Sequence, residues 1–262
     1  MVTFVKLGGS LITDKRTPNT FRADAAAQAA RELSTALAKH PDLKLLIGHG
    51  SGSFGHVAAK KHGTIQGVRS REQWYGFAEV AAAAAELNGL MAKTLRDQGL
   101  PVLRFQPSAS ALCHDGELIS MAVEPVRAAL DNALLPLVYG DVALDEVRGG
   151  TIISTETIFL YLARRLPVKR ILLLGEVEGV LDADGSLIPL ITSENLHEVE
   201  QVLGGSAGTD VTGGMETKVR EMVALARLLP GLHIRIISGL VSGNLEQVLQ
   251  DPDVELGTLI TA

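Results

Sequence analysis

A glycine-rich segment, residues 48–56, follows an apolar run and ends in a histidine that opens a predicted helix. Glycines let the backbone approach an anion and turn its N–H groups inward, and the start of a helix adds partial positive charge. The side chain of His56 adds one more hydrogen-bond donor at the end of the segment. These residue types in this order predict a phosphate-binding loop.

Two further polar loops combine glycine with lysine. The first predicted strand ends at Lys6, just before a Gly-Gly-Ser turn, and residues 208–218 form a glycine loop that places Lys218 one turn inside an amphipathic helix. A lysine there can reach a phosphate held over the helix start. Taken alone, each loop is also consistent with an ordinary connecting turn or a flexible helix start. Taken together, the three loops predict a site for one nucleotide.

Two common nucleotide-binding patterns fit the sequence less well. Gly50, Gly52 and Gly55 match the spacing of the dinucleotide fingerprint, which also needs an acidic residue ending a second strand about 20 residues later. Residues 63–76 are polar and rich in glycine, and Glu72 opens a predicted helix, so hydride transfer is disfavoured. The adjacent Gly-Lys-Ser or Gly-Lys-Thr of the P-loop is absent from the sequence. The lysines of a kinase would therefore come from separate loops.

Short apolar runs that alternate with helical patterns position these loops. Most runs are continuous rather than alternating, which predicts strands buried on both faces and hence a mainly parallel sheet with helices on each side. The predicted fold class is a three-layer α/β/α sandwich, with small β-hairpin additions at Asp115-Gly116 and Asp184-Gly185. The predicted strands are 2–7, 43–47, 102–105, 134–139, 170–174 and 233–237, and the predicted helices are 24–39, 72–97, 155–165, 193–203 and 214–229.

Composition narrows the class of protein. The chain has 262 residues, 46% of them hydrophobic, which is ample for a buried core. It carries 24 basic and 30 acidic residues and lacks the basic excess of a nucleic-acid binder. Cys113 is the only cysteine, which excludes an internal disulfide and favours the reducing cytoplasm. No run has the length of a membrane span or the pattern of a signal peptide, so we expect neither membrane insertion nor secretion.

Motifs spread over the whole chain resemble the amino acid kinase superfamily. They are Lys-Leu-Gly-Gly-Ser at 6–10, Tyr-Gly-Asp-Val at 139–142, Gly-Gly-Thr-Ile-Ile-Ser at 149–154 and Asp-Val-Thr-Gly-Gly-Met-Glu-Thr-Lys at 210–218. Within the superfamily, the Gly-Ser-Gly-Ser-Phe-Gly-His loop at 50–56 is similar to that of isopentenyl phosphate kinases and the related fosfomycin kinases. The resemblance implies one amino acid kinase domain over 1–262, with the acceptor side at about 1–165 and the nucleotide side at about 166–262.

The chain departs from the family pattern at two acidic positions. Where the family commonly has Ser-Gly-Asp, this chain has Ser154-Thr155-Glu156. The family carboxylate orients the catalytic lysines, and the resemblance implies that role for Glu156, whose side chain is one methylene longer. The nucleotide-side segment carries Glu176, where the family often has Asp.

The resemblance implies phosphoryl transfer from ATP, with Mg²⁺ held mainly by phosphate oxygens and water rather than by protein ligands. The transition state is loose and its charge is spread over oxygens, so positioning and charge stabilisation carry the catalysis. Lys6 and Lys218 would contact the ATP phosphates from opposite sides, and Lys15 would stabilise the transferring group. The implied ATP-binding residues are Lys6, Gly8, Gly9, Ser10, Gly52, Glu176, Gly179, Asp210, Gly213, Gly214 and Lys218.

The acceptor implied by the resemblance is a small-molecule phosphate, isopentenyl phosphate, which would become isopentenyl diphosphate. Its phosphate would lie on the backbone of Ser51, Gly52 and Gly55, with His56 donating a charge-assisted hydrogen bond. A phosphate oxygen is already an anionic nucleophile, so no general base is required. The implied acceptor-binding residues are Ser51, Gly52, Gly55, His56, Gly150 and Thr151, and the implied catalytic residues are Lys6, Lys15, His56, Glu156 and Lys218.

Alternatives remain open at this point. The small residues of 76–91 have two explanations: they line a short apolar pocket for a five-carbon tail, or they only allow helices to pack closely. A fosfomycin-type phosphonate kinase would share the glycine loop and the histidine. A nucleotide-binding regulator without turnover would explain the altered segment 154–157. Family precedent implies a homodimer.

Overall fold

Apolar runs of the sequence form the centre of a large sheet in the computed structural model, which describes residues 1–14, 16–204 and 214–262. The strands are β1 Val2–Leu7, β2 Lys44–His49, β3 Val102–Arg104, β4 Leu112–His114, β5 Glu117–Ser120, β6 Leu135–Tyr139, β7 Asp141–Asp145, β8 Gly149–Ile153, β9 Val168–Gly175, β10 Leu190–Ile191, β11 His233–Ser238 and β12 Thr258–Ile260. The helices are α1 Gly9–Ile12, α2 Ala23–Lys39, α3 Gly52–His62, α4 Arg71–Asp97, α5 Glu124–Asp131, α6 Thr155–Ala163, α7 Leu196–Gly204, α8 Gly214–Leu228 and α9 Asn244–Gln250.

The large sheet has the order β10-β12-β11-β9-β1-β2-β6-β3 within these ranges. Its strands pair in parallel except for β11 with β12. Every residue of β1 is buried, and successive side chains enter opposite cores: Phe4 packs on Phe159 of α6, while Val5 and Leu7 join the core formed with α2, α4 and α9. A strand covered on both faces is apolar at most positions, and in β1 only Thr3 and Lys6 are polar. The predicted three-layer α/β/α class is confirmed.

A smaller sheet, in the order β5-β4-β7-β8, lies beside the large one. The predicted hairpin at Asp115-Gly116 joins β4 to β5, and both residues have positive φ, as tight hairpin turns require. The buried Asp145 carboxylate accepts hydrogen bonds from the N–H groups of Asp115, Gly116, Val147 and Arg148. Burial pushes the pKa of Asp145 upward, but these donors outweigh it and hold the pKa below its usual value. One carboxylate therefore fastens the β4–β5 and β7–β8 turns together.

The start of α3 differs from the prediction. The sequence predicts a helix opening at His56, whereas α3 begins four positions earlier, at Gly52. Glycine is a poor helix former, so its presence hides the helix start in the sequence. The consequence is that part of the predicted phosphate loop is the first turn of a helix.

The helices in the described ranges include none that is long and apolar enough to cross a membrane.

Candidate active site

The carboxyl ends of β1, β2 and β9 meet at one edge of the large sheet. β1 lies between the other two strands and runs parallel to both, so Lys6 is in register with Gly48 on one side and with Leu173 on the other. The chain leaves β1 toward β2 on one side and leaves β9 toward β11 on the other. Open α/β sheets bind ligands at such switch points, outside the carboxyl ends of the strands. The loops that follow these three strands therefore border one crevice.

The loop after β1 and the loop after β2 touch through their backbones. A Cβ placed on Gly9 would lie 2.8 Å from both the N and the Cα of Gly52. The Thr13 hydroxyl donates to the Gly9 carbonyl at 2.7 Å and accepts the Ser53 N–H at 3.0 Å, which fastens the two loops together. Glycine is needed at position 9 because backbone occupies the space of a side chain. It is needed at position 52 because the Thr13 side chain and the Gly9 carbonyl occupy that space and φ is +50°.

These two loops carry backbone N–H groups that make no hydrogen bond within the described ranges. They belong to Gly9, Ser10, Ser51, Gly52 and Phe54. The last two lie in the first turn of α3, where free N–H groups and the helix dipole favour an anion. The Gly55 N–H, by contrast, donates to the Ser51 carbonyl at 3.1 Å. The Gly55 N–H is therefore already paired. The hydrogen bond that the sequence predicts from this N–H to the acceptor phosphate is not available in this structure.

An ion pair joins Lys6, near the end of β1, to Glu156 in the first turn of α6. The side chains are 10% and 16% exposed, and the residues are 150 positions apart in sequence. The Ser154 hydroxyl accepts the Thr157 N–H at 3.0 Å and so starts α6 where it presents Glu156 to Lys6.

The electrostatics of this pair extend to Lys218. Burial pushes the pKa of Glu156 upward, but the charge and hydrogen bond of Lys6, together with the charge of Lys218, outweigh it and hold the pKa below its usual value. Glu156 is therefore ionised at neutral pH and anchors the Lys6 ammonium. Burial, and next the charge of Glu156, raises the pKa of Glu221, while Lys218 opposes that rise. Three of the predicted catalytic residues are brought together: Lys6, Glu156 and Lys218.

Glu176 borders the same crevice, directly after β9. Its carboxylate accepts a hydrogen bond from Arg22 Nη1 at 2.6 Å, and the same nitrogen donates to the Ser10 carbonyl at 3.0 Å. Arg22 thus ties the loop after β1 to the loop after β9. The sequence analysis missed Arg22, and no local signal marks it, because its partner is 154 positions away.

The other predicted glycines are explained by packing. Gly8 N donates to Leu174 O at 2.8 Å, and a Cβ on Gly8 would lie 2.6 Å from that same oxygen. A Cβ on Gly179 would lie 2.6 Å from the Thr258 hydroxyl, and one on Gly150 would lie 2.7 Å from the Phe77 ring. Thr151, next to Gly150 on β8, is buried, and Gly214 is the first residue of α8. The ligand contacts predicted for these residues stay predictions.

The two explanations of the small residues in α4 can be compared at Gly76. A Cβ there would overlap the ring of His62, at the end of α3, so Gly76 lets the two helices approach closely. Close packing therefore explains this glycine. Whether the alanines that follow also border a ligand tail stays a prediction.

Several predicted residues lie beyond what the structure describes. Lys15, Asp210 and Gly213 are outside the described ranges. His56 is part of α3, but its side chain is not among those described. The roles expected of these four residues stay predictions.

Comparison with known proteins connects this geometry to a family. Residues 1–238 match the amino acid kinase family profile. An isopentenyl phosphate kinase of Methanothermobacter thermautotrophicus is 34% identical over 98% of this chain and 98% of that protein. The isopentenyl phosphate kinase of Haloferax volcanii is 38% identical over 84% of this chain and 87% of that protein. An X-ray structure of an isopentenyl phosphate kinase superposes with a TM-score of 0.84 over 100% of both chains, at 29% identity.

Proposed function

The chain belongs to the amino acid kinase family and, within it, to the isopentenyl phosphate kinases, and from this premise we propose that it phosphorylates isopentenyl phosphate to isopentenyl diphosphate with ATP. It is a phosphotransferase whose acceptor is a phosphate group. The observation that carries the proposal is the contact of two glycine loops beside the group of Lys6, Glu156 and Lys218. N–H donors and lysine cations at the end of a parallel sheet suit two phosphate chains that meet end to end.

The reaction is a direct in-line transfer. The bond from the γ-phosphorus to the ADP oxygen breaks, a bond from an acceptor phosphate oxygen to that phosphorus forms, and ADP leaves. Charge spreads over the oxygens of the moving group, so fixed cations lower the barrier more than a base would. Lys6 and Lys218 supply that charge, Lys15 adds to it, and Glu156 holds Lys6 in place. The N–H groups of Gly9 and Ser10 hold the ATP phosphates, and Asp210 and Gly213 of the sequence segment 208–218 contribute to the same binding.

The acceptor lies on the loop after β2. The N–H groups of Ser51 and Gly52 bind its phosphate oxygens, and His56 donates a further hydrogen bond. The helix dipole of α3 favours the anion at the same place. Gly150 and Thr151 on β8 contribute further contacts to the acceptor.

The proposal has four further parts. Mg²⁺ would be held mainly by phosphate oxygens and by water, and when bound it would reduce the mutual repulsion of the phosphates. The chain acts as a homodimer, located in the cytoplasm. Residues 1–262 form one kinase domain, whose acceptor side is about 1–165 and whose nucleotide side is about 166–262.

The test of the function compares acceptors for the purified protein with ATP and Mg²⁺. We expect kcat/KM for isopentenyl phosphate to exceed that for inorganic phosphate by about a hundredfold or more, because burial of each methylene contributes about 0.8 kcal/mol. ADP release measures the rate, and ³¹P NMR identifies the diphosphate product. Turnover of fosfomycin alone, or tight ATP binding with no phosphorylated product, would contradict the proposal.

Substitution of His56 tests the acceptor side. We expect His56→Ala to raise the acceptor KM and lower kcat, each by about tenfold, with little change in the KM for ATP, because one charge-assisted hydrogen bond is lost. His114→Ala is the matched control, since His114 is exposed and pairs with Glu146 on the smaller sheet. An unchanged acceptor profile in His56→Ala would remove His56 from the mechanism.

A further inference from the structure

A chain of polar side chains runs from the edge of the sheet to the acceptor loop. Arg104 Nε donates to Asn88 Oδ1 at 2.6 Å, Asn88 Nδ2 lies 3.0 Å from His49 Nε2, and His49 Nδ1 lies 3.0 Å from the Gly50 carbonyl oxygen. Asn88 and His49 are both fully buried. A buried polar group is stable only when it is hydrogen-bonded, so each member of this chain depends on the next.

The groups at the two ends of this hydrogen-bonded series fix the direction of each hydrogen bond in it. The Arg104 guanidinium can only donate and the Gly50 carbonyl can only accept. Asn88 must therefore present its oxygen to Arg104 and its NH₂ to His49. His49 must then accept at Nε2 and donate from Nδ1. Burial lowers the pKa of His49 to about 4, so the ring is neutral at pH 7 and carries its one proton on Nδ1.

The His49 ring and backbone are held in place from other directions. The ring stacks on Tyr139, with centroids 5.6 Å apart and planes 7° apart. The His49 carbonyl accepts the Thr155 hydroxyl at 2.6 Å and the Gly140 N–H at 3.1 Å. The Nδ1–H group therefore points in one fixed direction, toward the Gly50 carbonyl.

The Gly50 carbonyl belongs to the same peptide group as the Ser51 N–H. A trans peptide is planar, and its C=O and N–H point in opposite directions. When His49 holds the carbonyl toward the core, the Ser51 N–H points away from the core. That N–H makes no hydrogen bond to any part of the chain that the structure describes.

We infer that Arg104, Asn88 and His49 form a relay, buried at Asn88 and His49, that sets the orientation of the Gly50–Ser51 peptide and thereby aims the Ser51 N–H at the acceptor phosphate. The inference rests on the proposed function for the identity of the acceptor. His49 is a positioning residue, since it acts through the backbone of the loop. The relay lies on the acceptor side, and within the described ranges its three side chains make no hydrogen bond to the loop after β1.

Two amide substitutions at position 49 separate positioning from mere packing. The side-chain nitrogen of asparagine can occupy the place of Nδ1, whereas the amide of glutamine reaches the place of Nε2. We expect His49→Asn to keep the acceptor KM within about threefold and His49→Gln to raise it about tenfold, with the KM for ATP within about twofold in both. A packing role predicts the reverse order, because asparagine leaves the larger cavity and the lower Tm.

A spectroscopic measurement tests the relay without any turnover. In ¹⁵N-histidine-labelled protein at pH 7 we expect the His49 signals, assigned by their loss in His49→Asn, to show the neutral Nδ1–H tautomer. Asn88→Leu should shift the population toward Nε2–H. An Nε2–H tautomer in the wild-type protein, or an unchanged acceptor KM in His49→Gln, overturns the inference. Failure of the wild-type protein to phosphorylate isopentenyl phosphate would refute the proposed function and leave the tautomer result standing.

Discussion

Lys6→Met is expected to lower kcat/KM for isopentenyl phosphate by about a thousandfold or more, the range found when a cation that stabilises a transferring phosphoryl group is removed. Methionine keeps much of the apolar length of lysine, so the position stays filled and only the charge is lost. The Glu156 carboxylate also loses its ion pair. Its pKa is expected to rise because burial is then opposed only by the charge of Lys218 and by a backbone hydrogen bond. Steady-state kinetics of the variant measure the loss of kcat/KM, and the dependence of its Tm on pH measures the change in the pKa of Glu156.

A double-mutant cycle shows how Glu156 acts. Glu156→Gln leaves Lys6 charged but unanchored, so we expect a smaller loss of about ten- to a hundredfold in kcat/KM. If Glu156 works by holding Lys6, the double variant should be no slower than Lys6→Met alone. Losses that multiply in the double variant would mean that Glu156 acts independently of Lys6. Retention of more than a tenth of wild-type activity by Lys6→Met would contradict the mechanism itself.

Gly9→Ala is expected to lower kcat/KM for both substrates by about a hundredfold, because a displacement of about 1 Å at reacting groups has that effect. The new methyl group would lie 2.8 Å from the N and Cα of Gly52, and backbone atoms cannot rotate away as a side chain can. The loop after β1 and the start of α3 must therefore separate. The ATP phosphates and the acceptor phosphate are then misplaced together.

Gly89→Ala is the matched control for this substitution. Gly89 lies inside α4, and a Cβ there would meet nothing within 4 Å. Alanine is the better helix former by about 0.5–1 kcal/mol, so Tm should stay equal or rise slightly while the kinetics stay unchanged. Equal kinetics for Gly9→Ala and Gly89→Ala would show that the contact between the two loops is not needed.

The central strands and the lysine at the end of β1 could be predicted because their signals are local. A run such as 2–7, which is apolar at most positions, is typical of a strand in the middle of a parallel sheet. The observed β1 has the predicted bounds. The loops at strand ends then follow from the general geometry of such sheets. The pairing of Lys6 with Glu156 needed the family resemblance, because nothing local relates two residues 150 positions apart.

Other elements carry weaker signals. The strands of the smaller sheet are three to five residues long and partly exposed, so neither length nor burial distinguishes them from loops. Asn88 is one of several polar residues in the alanine-rich helix α4, and a polar residue in such a helix ordinarily indicates a solvent-facing position. Its burial is favourable because His49 of β2 and Arg104 of β3 make hydrogen bonds with its side chain. Such networks depend on tertiary contacts and have no counterpart in the sequence pattern.

The position of β1 between β2 and β9 has a consequence for motion. Its residues are hydrogen-bonded to β2 along one edge and to β9 along the other. A hinge rotation of one half of the sheet against the other would have to break the hydrogen bonds that β1 makes with its two neighbouring strands. We therefore expect the large sheet to stay rigid while substrates bind and products leave.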